Sequence, residues 1–354
     1  MIFRFPRTKM SLVVAAMAIL ADEASGQDRV NVVTTLPTYA AIAEEIAGDR
    51  AEVVAIARGD QDAHFVTPRP SFASRLQRAD LFVVTGLDLE LWVPALLDRA
   101  NNAKVNEGAA GHVVAYAGVK LLDVPESVSR SGGDVHVYGS PHIHTDPVNA
   151  VIVAKNIADG LVRIDPTHAD EYRANWGRFA EQMHVRLFGE ELVEMLGWET
   201  LFQLGRSYGF WSFAERETFG GKPLTAYLGG WLAEAEPFRN KSMVCYHKNW
   251  AYFSARFRVT CAEYIEPKPG IPPTPGHVNH VIDFIEQEGL SVLFAANFFS
   301  RNHIDRVATR AGIRAVIVPK HVSGETNVDD YTTLVDTWIS RLGAAFQSTV
   351  TEHP

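Results

Sequence analysis

Two histidines and an aspartate lie within five positions in the segment SPHIHTDP, residues 140–147; they are His142, His144 and Asp146. Imidazole nitrogens bind zinc and other late transition metals, and histidine also serves as a general acid or base. On an extended segment His142 and His144 would point in opposite directions, so both are not expected to bind one ion. The segment alone is compatible with a metal-binding loop, a catalytic loop or an ordinary polar loop. Residues elsewhere in the sequence are needed to distinguish among these three interpretations.

Short apolar runs alternate with segments of helical periodicity, and these elements must position the histidines. Runs such as VNVVTT and LFVVTG are typical of strands, and this alternation predicts βαβ units with mainly parallel sheets. The same pattern returns after residue 240. The predicted strands are 30–35, 51–57, 81–86 and 112–117 in the first half, and 241–247, 258–266, 290–296 and 313–319 in the second.

A long helical stretch separates the two halves of the chain. Pro166 suits the first turn of a helix, and the run from there to Leu196 contains only the glycines Gly177 and Gly189. One continuous helix over this run would extend about 46 Å. The alternative is a pair of helices broken near Gly189. The predicted fold is α/β, with an N-terminal lobe at 27–165, a long rigid linker helix at 166–197 and a C-terminal lobe at 198–354.

The first 26 residues have the three-part layout of a secretory signal peptide. Arg4, Arg7 and Lys9 precede the apolar run MSLVVAAMAILA, and the small residues ASG precede Gln27. The apolar run is too short to span a bilayer comfortably. We therefore expect export to the periplasm. Because no cysteine lies near the cleavage site, we expect a protein without a lipid anchor.

Composition and cysteine content narrow the classes of partner. The 354-residue chain carries a formal net charge of −9 and shows no basic stripe, so nucleic acid is not an expected partner. Its two cysteines, Cys245 and Cys261, lie in predicted strands. In an oxidising compartment they could form a disulfide, and two buried thiols are the equally weighted alternative.

Three histidines follow predicted strands, where ligands bind in parallel α/β sheets. His64 follows the strand at 51–57, His142 follows the last strand of the first lobe, and His247 ends the first strand of the second lobe. Each alone also fits an ordinary loop or strand-end residue. Their matching positions in two lobes place them at an interlobe cleft. Three imidazoles suit zinc better than manganese, magnesium or calcium.

Several segments in this order resemble a known family. They include VVTTLPTYAAIAEEIAGD, RADLFVVTGLDLELWVPALL, PHIHTDPVNAVIVAKNIADGL, DPTHADEYRANWGRFAEQM and VCYHKNWAYFSARF. In these segments the chain resembles the periplasmic zinc- and manganese-binding proteins of ABC metal importers, over nearly all of the mature chain. The resemblance implies two α/β lobes joined by a long helix, with one ion held in the cleft between them.

The resemblance implies His64, His142 and His247 as ligands, and a histidine at 247 is similar to the zinc-type members. The family's usual fourth ligand is an aspartate near 318–320. Here the stretch reads AVIVPKHVSGE, and Val318 and Pro319 stand at the expected place instead of an acid. Glu266 follows a strand of the second lobe and is the predicted fourth ligand. A water molecule is the alternative, and His321 and Asn297 are further candidates.

The predicted function is capture of Zn²⁺, in preference to Mn²⁺, by a monomeric protein that delivers the ion to the membrane permease of an ABC importer. The alternative is a zinc hydrolase, because three histidines with an open fourth position are also a catalytic pattern. An adhesin or metal-storage protein would use the same fold. Histidines in the 131–146 loop could add a weaker site or assist loading.

Overall fold

The structure is a computed structural model that describes residues 29–125, 136–266 and 270–348. The predicted signal peptide at 1–26 lies outside these residues. Among the helices described, none is both long enough and apolar enough to cross a membrane.

Two four-stranded parallel sheets form the cores of two lobes, as the apolar runs predict. The inner strands Leu81–Val84 and Val292–Ala296 consist entirely of buried apolar residues, as expected for parallel sheets covered on both faces. A two-stranded antiparallel ribbon in the stretch 198–240 was not predicted. The strands are β1 Val30–Thr34, β2 Ala51–Ala55, β3 Leu81–Val84, β4 His112–Val114, β5 Thr218–Phe219, β6 Lys222–Pro223, β7 Ser242–Cys245, β8 Thr260–Tyr264, β9 Val292–Ala296 and β10 Arg314–Val318.

Both sheets have the same strand order. The first sheet runs β2-β1-β3-β4, and the second runs β10-β9-β7-β8, which is the same order read from the opposite edge. In each sheet the first strand therefore lies between the second and the third. This is the reversal at which open α/β sheets leave a crevice beyond the carboxyl ends of their strands. The topology thus gives each lobe one ligand-binding edge.

The helical stretch after Pro166 is not one continuous helix, and that prediction was wrong. It forms a short 3₁₀ turn and then the helices Ala169–Phe188 and Glu190–Leu196. Gly189 separates them with φ +90°, and a Cβ there would lie 2.6 Å from the Cα of Gly229. A distant backbone contact therefore fixes the break, as the alternative near Gly189 anticipated.

The remaining helices cover the two sheets and connect the lobes. Many begin with proline, which fits the first helical turn. The α-helices are Pro37–Ala47, Pro70–Arg78, Val93–Ala100, Pro147–Ile164, Ala169–Phe188, Glu190–Leu196, Trp198–Arg206, Phe210–Arg216, Gly230–Glu234, Ala251–Phe257, Pro275–Glu288, Arg301–Ala311 and Tyr331–Ser348.

Cys245 and Cys261 form a disulfide that joins β7 to β8, which decides between the two alternatives left open by the sequence. The bond lies two residues before His247. It closes a loop of 16 residues in sequence separation. A cross-link of this kind stabilises a protein mainly by restricting its unfolded chain.

Reduction of this disulfide is expected to lower the free energy of unfolding by about 2–4 kcal/mol. Urea unfolding of the oxidised and the reduced protein measures the difference. A Cys245→Ala/Cys261→Ala variant should not respond to the reductant and serves as the control. An unchanged unfolding midpoint after verified reduction would contradict the expectation.

Candidate metal centre

Three imidazoles converge at the carboxyl-end edge of the first sheet. His64, His136 and His142 each offer one nitrogen, and these atoms lie within 4.8 Å of one another. The Nε2 atoms of His64 and His136 are 2.9 Å apart. In a tetrahedral zinc site with Zn–N bonds near 2.0–2.1 Å, neighbouring nitrogens are about 3.3 Å apart. Small adjustments of the rings would therefore bring the three histidines, the outer cluster, around one ion.

Asp62 fixes the orientation of His64. Its carboxylate caps the 3₁₀ turn Ala63–Phe65 by accepting the backbone N–H of His64, and it lies 2.6 Å from Nδ1 of the same residue. Burial alone would raise the pKa of Asp62, but the hydrogen bonds and charge of His64 hold it below its usual range. Because Nδ1 is held by the carboxylate, Nε2 can present its lone pair to a metal, the usual carboxylate–histidine–metal arrangement.

Replacement of Asp62 by asparagine is expected to weaken metal binding by about 10–100-fold, because the amide keeps the shape but loses the charge that supports His64. Zinc titration against a competing chelator measures this loss. Asp60→Asn is the matched control, since Asp60 lies two residues away and pairs with exposed Arg58. Equal affinity in both variants would count against a supporting role for Asp62.

The segment that carries His142 is held by side chains of the second lobe. The Tyr252 hydroxyl donates to the Ser140 carbonyl at 2.9 Å, and the Tyr331 hydroxyl donates to the His144 carbonyl at 2.8 Å. Arg256 forms a two-pronged ion pair with Asp146, with both distances at 2.8 Å and both side chains buried. Such a pair is held in a fixed geometry. The His142 segment is therefore a rigid part of the interface between the lobes.

His142 itself is buried. Its Nε2 has no hydrogen-bond partner among the described residues. Burial, the charge of Lys320 and the neighbouring histidines together keep its pKa well below the ordinary value. A buried neutral imidazole with an unpartnered nitrogen is a suitable metal ligand.

His247 and Glu266 lie beside the outer cluster but are not part of it. His247 is buried directly after β7, and its Nδ1 is 2.8 Å from the carbonyl oxygen of Glu266. The Glu266 carboxylate instead accepts the N–H of Gly270 at 2.8 Å. Burial and the charge of Asp62 raise the pKa of Glu266, with Gly270 and His64 acting in the opposite direction. Both predicted residues are therefore at the edge of the cluster, and the carbonyl of Glu266 orients His247.

Lys320 and His321 occupy the end of β10, near the position where the resemblance implies an aspartate. Lys320 is 1% exposed, donates from Nζ to the Asn249 carbonyl and lies 3.8 Å from the Trp250 ring centroid. Burial lowers its pKa well below the usual value, and Asp62 counteracts this in part. Burial and the charge of Lys320 lower the pKa of His321 to about 3. A basic side chain thus replaces the acid in this part of the cleft.

The sequence did not assign His136 or Lys320 to the site. His136 was included only among the histidines of the 131–146 loop, and no spacing rule connects it with His64. Lys320 was not considered, because the missing acid was assigned to the position of Val318 and Pro319. The signal available for it was its place directly after a buried strand, where a lysine is unusual.

A family model and several known proteins match this chain. Residues 32–185 and 225–345 match the family model of the periplasmic zinc-uptake complex component A, ZnuA. The iron-binding protein YfeA of Yersinia pestis is 27% identical over 320 residues, which cover 89% of this chain and 86% of that protein.

Two further relatives match over shorter lengths. The manganese ABC transporter substrate-binding lipoprotein PsaA of Streptococcus pneumoniae is 31% identical over 163 residues, which cover 45% of this chain and 49% of that protein. A zinc-binding lipoprotein, AdcA, from a serotype 4 strain of the same species is 25% identical over 183 residues, covering 50% of this chain and 36% of that protein. The names of the three relatives span iron, manganese and zinc.

Solved structures show the same fold. A crystal structure of ZnuA superimposes with a TM-score of 0.65 at 18% identity and covers 90% of this chain and 100% of that chain. A manganese-bound periplasmic metal binding protein from Candidatus Liberibacter asiaticus has a TM-score of 0.63 at 17% identity, with coverage of 90% and 100%. Proteins of this family are substrate-binding components of ABC transporters and are not enzymes, so the hydrolase hypothesis is wrong. The chain belongs to the ZnuA family of metal-binding proteins of ABC importers.

Proposed function

We propose that this protein captures Zn²⁺ in the periplasm, as a monomer, and delivers it to the membrane permease of an ABC importer. The observation that carries the proposal is the outer cluster, whose three donors are all imidazoles. Imidazole suits zinc, whereas manganese prefers carboxylate and carbonyl oxygens. The relatives that are named for iron or manganese do not establish which metal this protein prefers, because metal preference depends on the ligand atoms of each chain.

In this proposal His64, His136 and His142 bind the ion first, and His247 joins them from the second lobe. The lobes are assigned to 27–165 and 198–354, with 166–197 as the connecting helical segment. Existing interlobe contacts limit how far the lobes can separate. The ring of Phe65 packs against Gly270, and Gly59 lies against Gly324 so closely that a Cβ on Gly59 would be 2.3 Å from the backbone nitrogen of Gly324. Capture therefore requires only local movement at the site.

Glu266 remains the predicted carboxylate ligand. To bind the ion, its carboxylate would have to exchange the N–H of Gly270 for the metal. Its charge acts on groups of the site, since Asp62 and His64 both influence its pKa. The carbonyl of Glu266, which orients His247, would stay in place.

Titration of metal-stripped mature protein with Zn²⁺, Mn²⁺ and Fe²⁺, each against a competing chelator, tests the proposed function. We expect one tight Zn²⁺ site and much weaker Mn²⁺ binding. A chain that prefers Mn²⁺ or Fe²⁺ would overturn the zinc assignment. Absence of tight binding of any of the three ions would overturn capture itself.

Glu266→Gln and His247→Ala separate the ligand roles in the second lobe. Glu266→Gln removes the carboxylate charge but keeps the carbonyl that orients His247. Loss of zinc affinity in His247→Ala alone would make His247 the ligand and Glu266 its support. Loss in both would make Glu266 a ligand as well. Unchanged affinity in His247→Ala would exclude His247 from the coordination of the ion and contradict the proposal.

A further inference from the structure

A second pair of imidazoles lies at the lobe interface, outside the outer cluster. His144 comes from the 3₁₀ turn Ile143–Thr145 of the first lobe, and His321 follows β10 of the second. Both side chains are buried, and their ring centroids are 4.6 Å apart at an interplanar angle of 30°. The two lobes thus place two side chains of a metal-binding type next to each other, with their rings tilted.

The hydrogen bonding of His144 is incomplete. Neither of its ring nitrogens makes a hydrogen bond of good geometry with the described residues, although the ring is fully buried. The backbone of Lys320 lies close enough to act on the ring. Buried polar atoms are nearly always satisfied, and an exception in a native protein calls for an explanation such as a bound ion. A buried imidazole with an open nitrogen beside a second imidazole suits a bound metal ion.

His321 has the support that a ligand requires. Its Nδ1 is 3.2 Å from the Thr38 hydroxyl, which also accepts the backbone N–H of Val322 at 3.3 Å. In the tautomer whose Nδ1–H donates to this oxygen, Nε2 carries the lone pair. A hydrogen bond from the far nitrogen is the usual way in which proteins orient a metal-binding histidine. Thr38 belongs to the first lobe, so this contact also spans the interface.

We propose that His144 and His321 form an inner position for a second transition-metal ion that prefers nitrogen ligands, such as Zn²⁺ or Cu²⁺. This inference rests on the proposed function only in assigning the first ion to the outer cluster. A donor pair made of imidazoles does not suit Mg²⁺, Ca²⁺ or Mn²⁺. Three side chains act electrostatically on His321, with Lys320 and His64 in one direction and Asp62 in the other. With only two protein ligands and a lysine nearby, the inner position is the weaker of the two.

Equilibrium dialysis of the full mature chain with Zn²⁺, followed by metal analysis, tests this inner position. The variants are His144→Phe and His321→Gln. His184→Phe is the matched control, because His184 is another buried histidine with an unpartnered Nε2, but it stacks on Phe188 and faces no second ligand of this kind. Circular dichroism establishes that each variant is folded.

We expect the wild type and His184→Phe to bind two ions, the second at least roughly 10-fold more weakly than the first. Each of the other two variants should bind one ion, with the first affinity unchanged within threefold. A wild type that saturates at one ion, or a second ion that persists in a folded His144→Phe or His321→Gln variant, would overturn the inner position alone. A wild type that binds no ion would overturn it together with the proposed function. If either His144→Phe or His321→Gln does not fold, the other variant alone tests the inner position.

Discussion

Replacement of His64 by alanine is expected to weaken zinc binding by more than about 100-fold. This loss of affinity is larger than the roughly 10–100-fold loss that is typical when a residue that orients a metal ligand is replaced. The substitution removes one donor of the outer cluster. It also leaves the partly buried Asp62 carboxylate without the imidazole that it contacts. Removal of one member of a buried charged hydrogen bond is costly because the remaining group stays desolvated. Calorimetric titration of the stripped protein with Zn²⁺ measures the affinity.

Two further variants make this result specific. His142→Ala should show a similar loss of zinc affinity. The substitution removes a buried Nε2 that makes no hydrogen bond to the described residues and is the proposed metal ligand. His280→Ala is the control, since His280 has a side chain that is 63% exposed and lies beside Glu263 in the second lobe. Near-wild-type affinity in His64→Ala would exclude the outer cluster as the main site, whatever the control shows.

The sequence predicted the sheets because their physical origin is local. A strand buried on both faces must be apolar along its length, and LFVV and VLFAA meet that condition within a few residues. Parallel strands then bring their carboxyl ends to one edge, so the side chains that follow them are expected to meet. On this basis His64 and His142 are expected to lie near each other, and their ring centroids are 5.4 Å apart.

The parts that were not predicted depend on contacts between residues distant in sequence. The helix break at Gly189 is set by the backbone of Gly229, and neither residue indicates the other. His136 lies 72 positions after His64 in the sequence, in a loop without periodicity. The pairing of Cys245 with Cys261 required the register between β7 and β8, which an apolar pattern does not specify.

Lys320 is the residue whose replacement should change the choice of metal. It occupies the end of β10, where the resemblance implies an aspartate, and its charge acts on His142, His144 and His321. In its charged form Lys320 opposes binding of any divalent ion, and in either form it supplies none of the oxygen donors that manganese prefers. Lys320→Asp removes the cation and adds a hard oxygen donor in one step.

We expect Lys320→Asp to raise Mn²⁺ affinity by roughly 10-fold or more, which corresponds to about 1.4 kcal/mol or more. Zn²⁺ affinity should rise less, because imidazoles already suit that ion. Lys320→Met is the matched control, since it removes the charge from a side chain of similar length without adding a donor. Competitive titration of both variants with both ions separates the two effects. A gain in Mn²⁺ affinity that is equal in the two variants would assign the effect to charge alone and contradict a ligand role for this position. Because Lys320 packs on Trp250, a change in tryptophan emission in both variants would show that this contact has been lost.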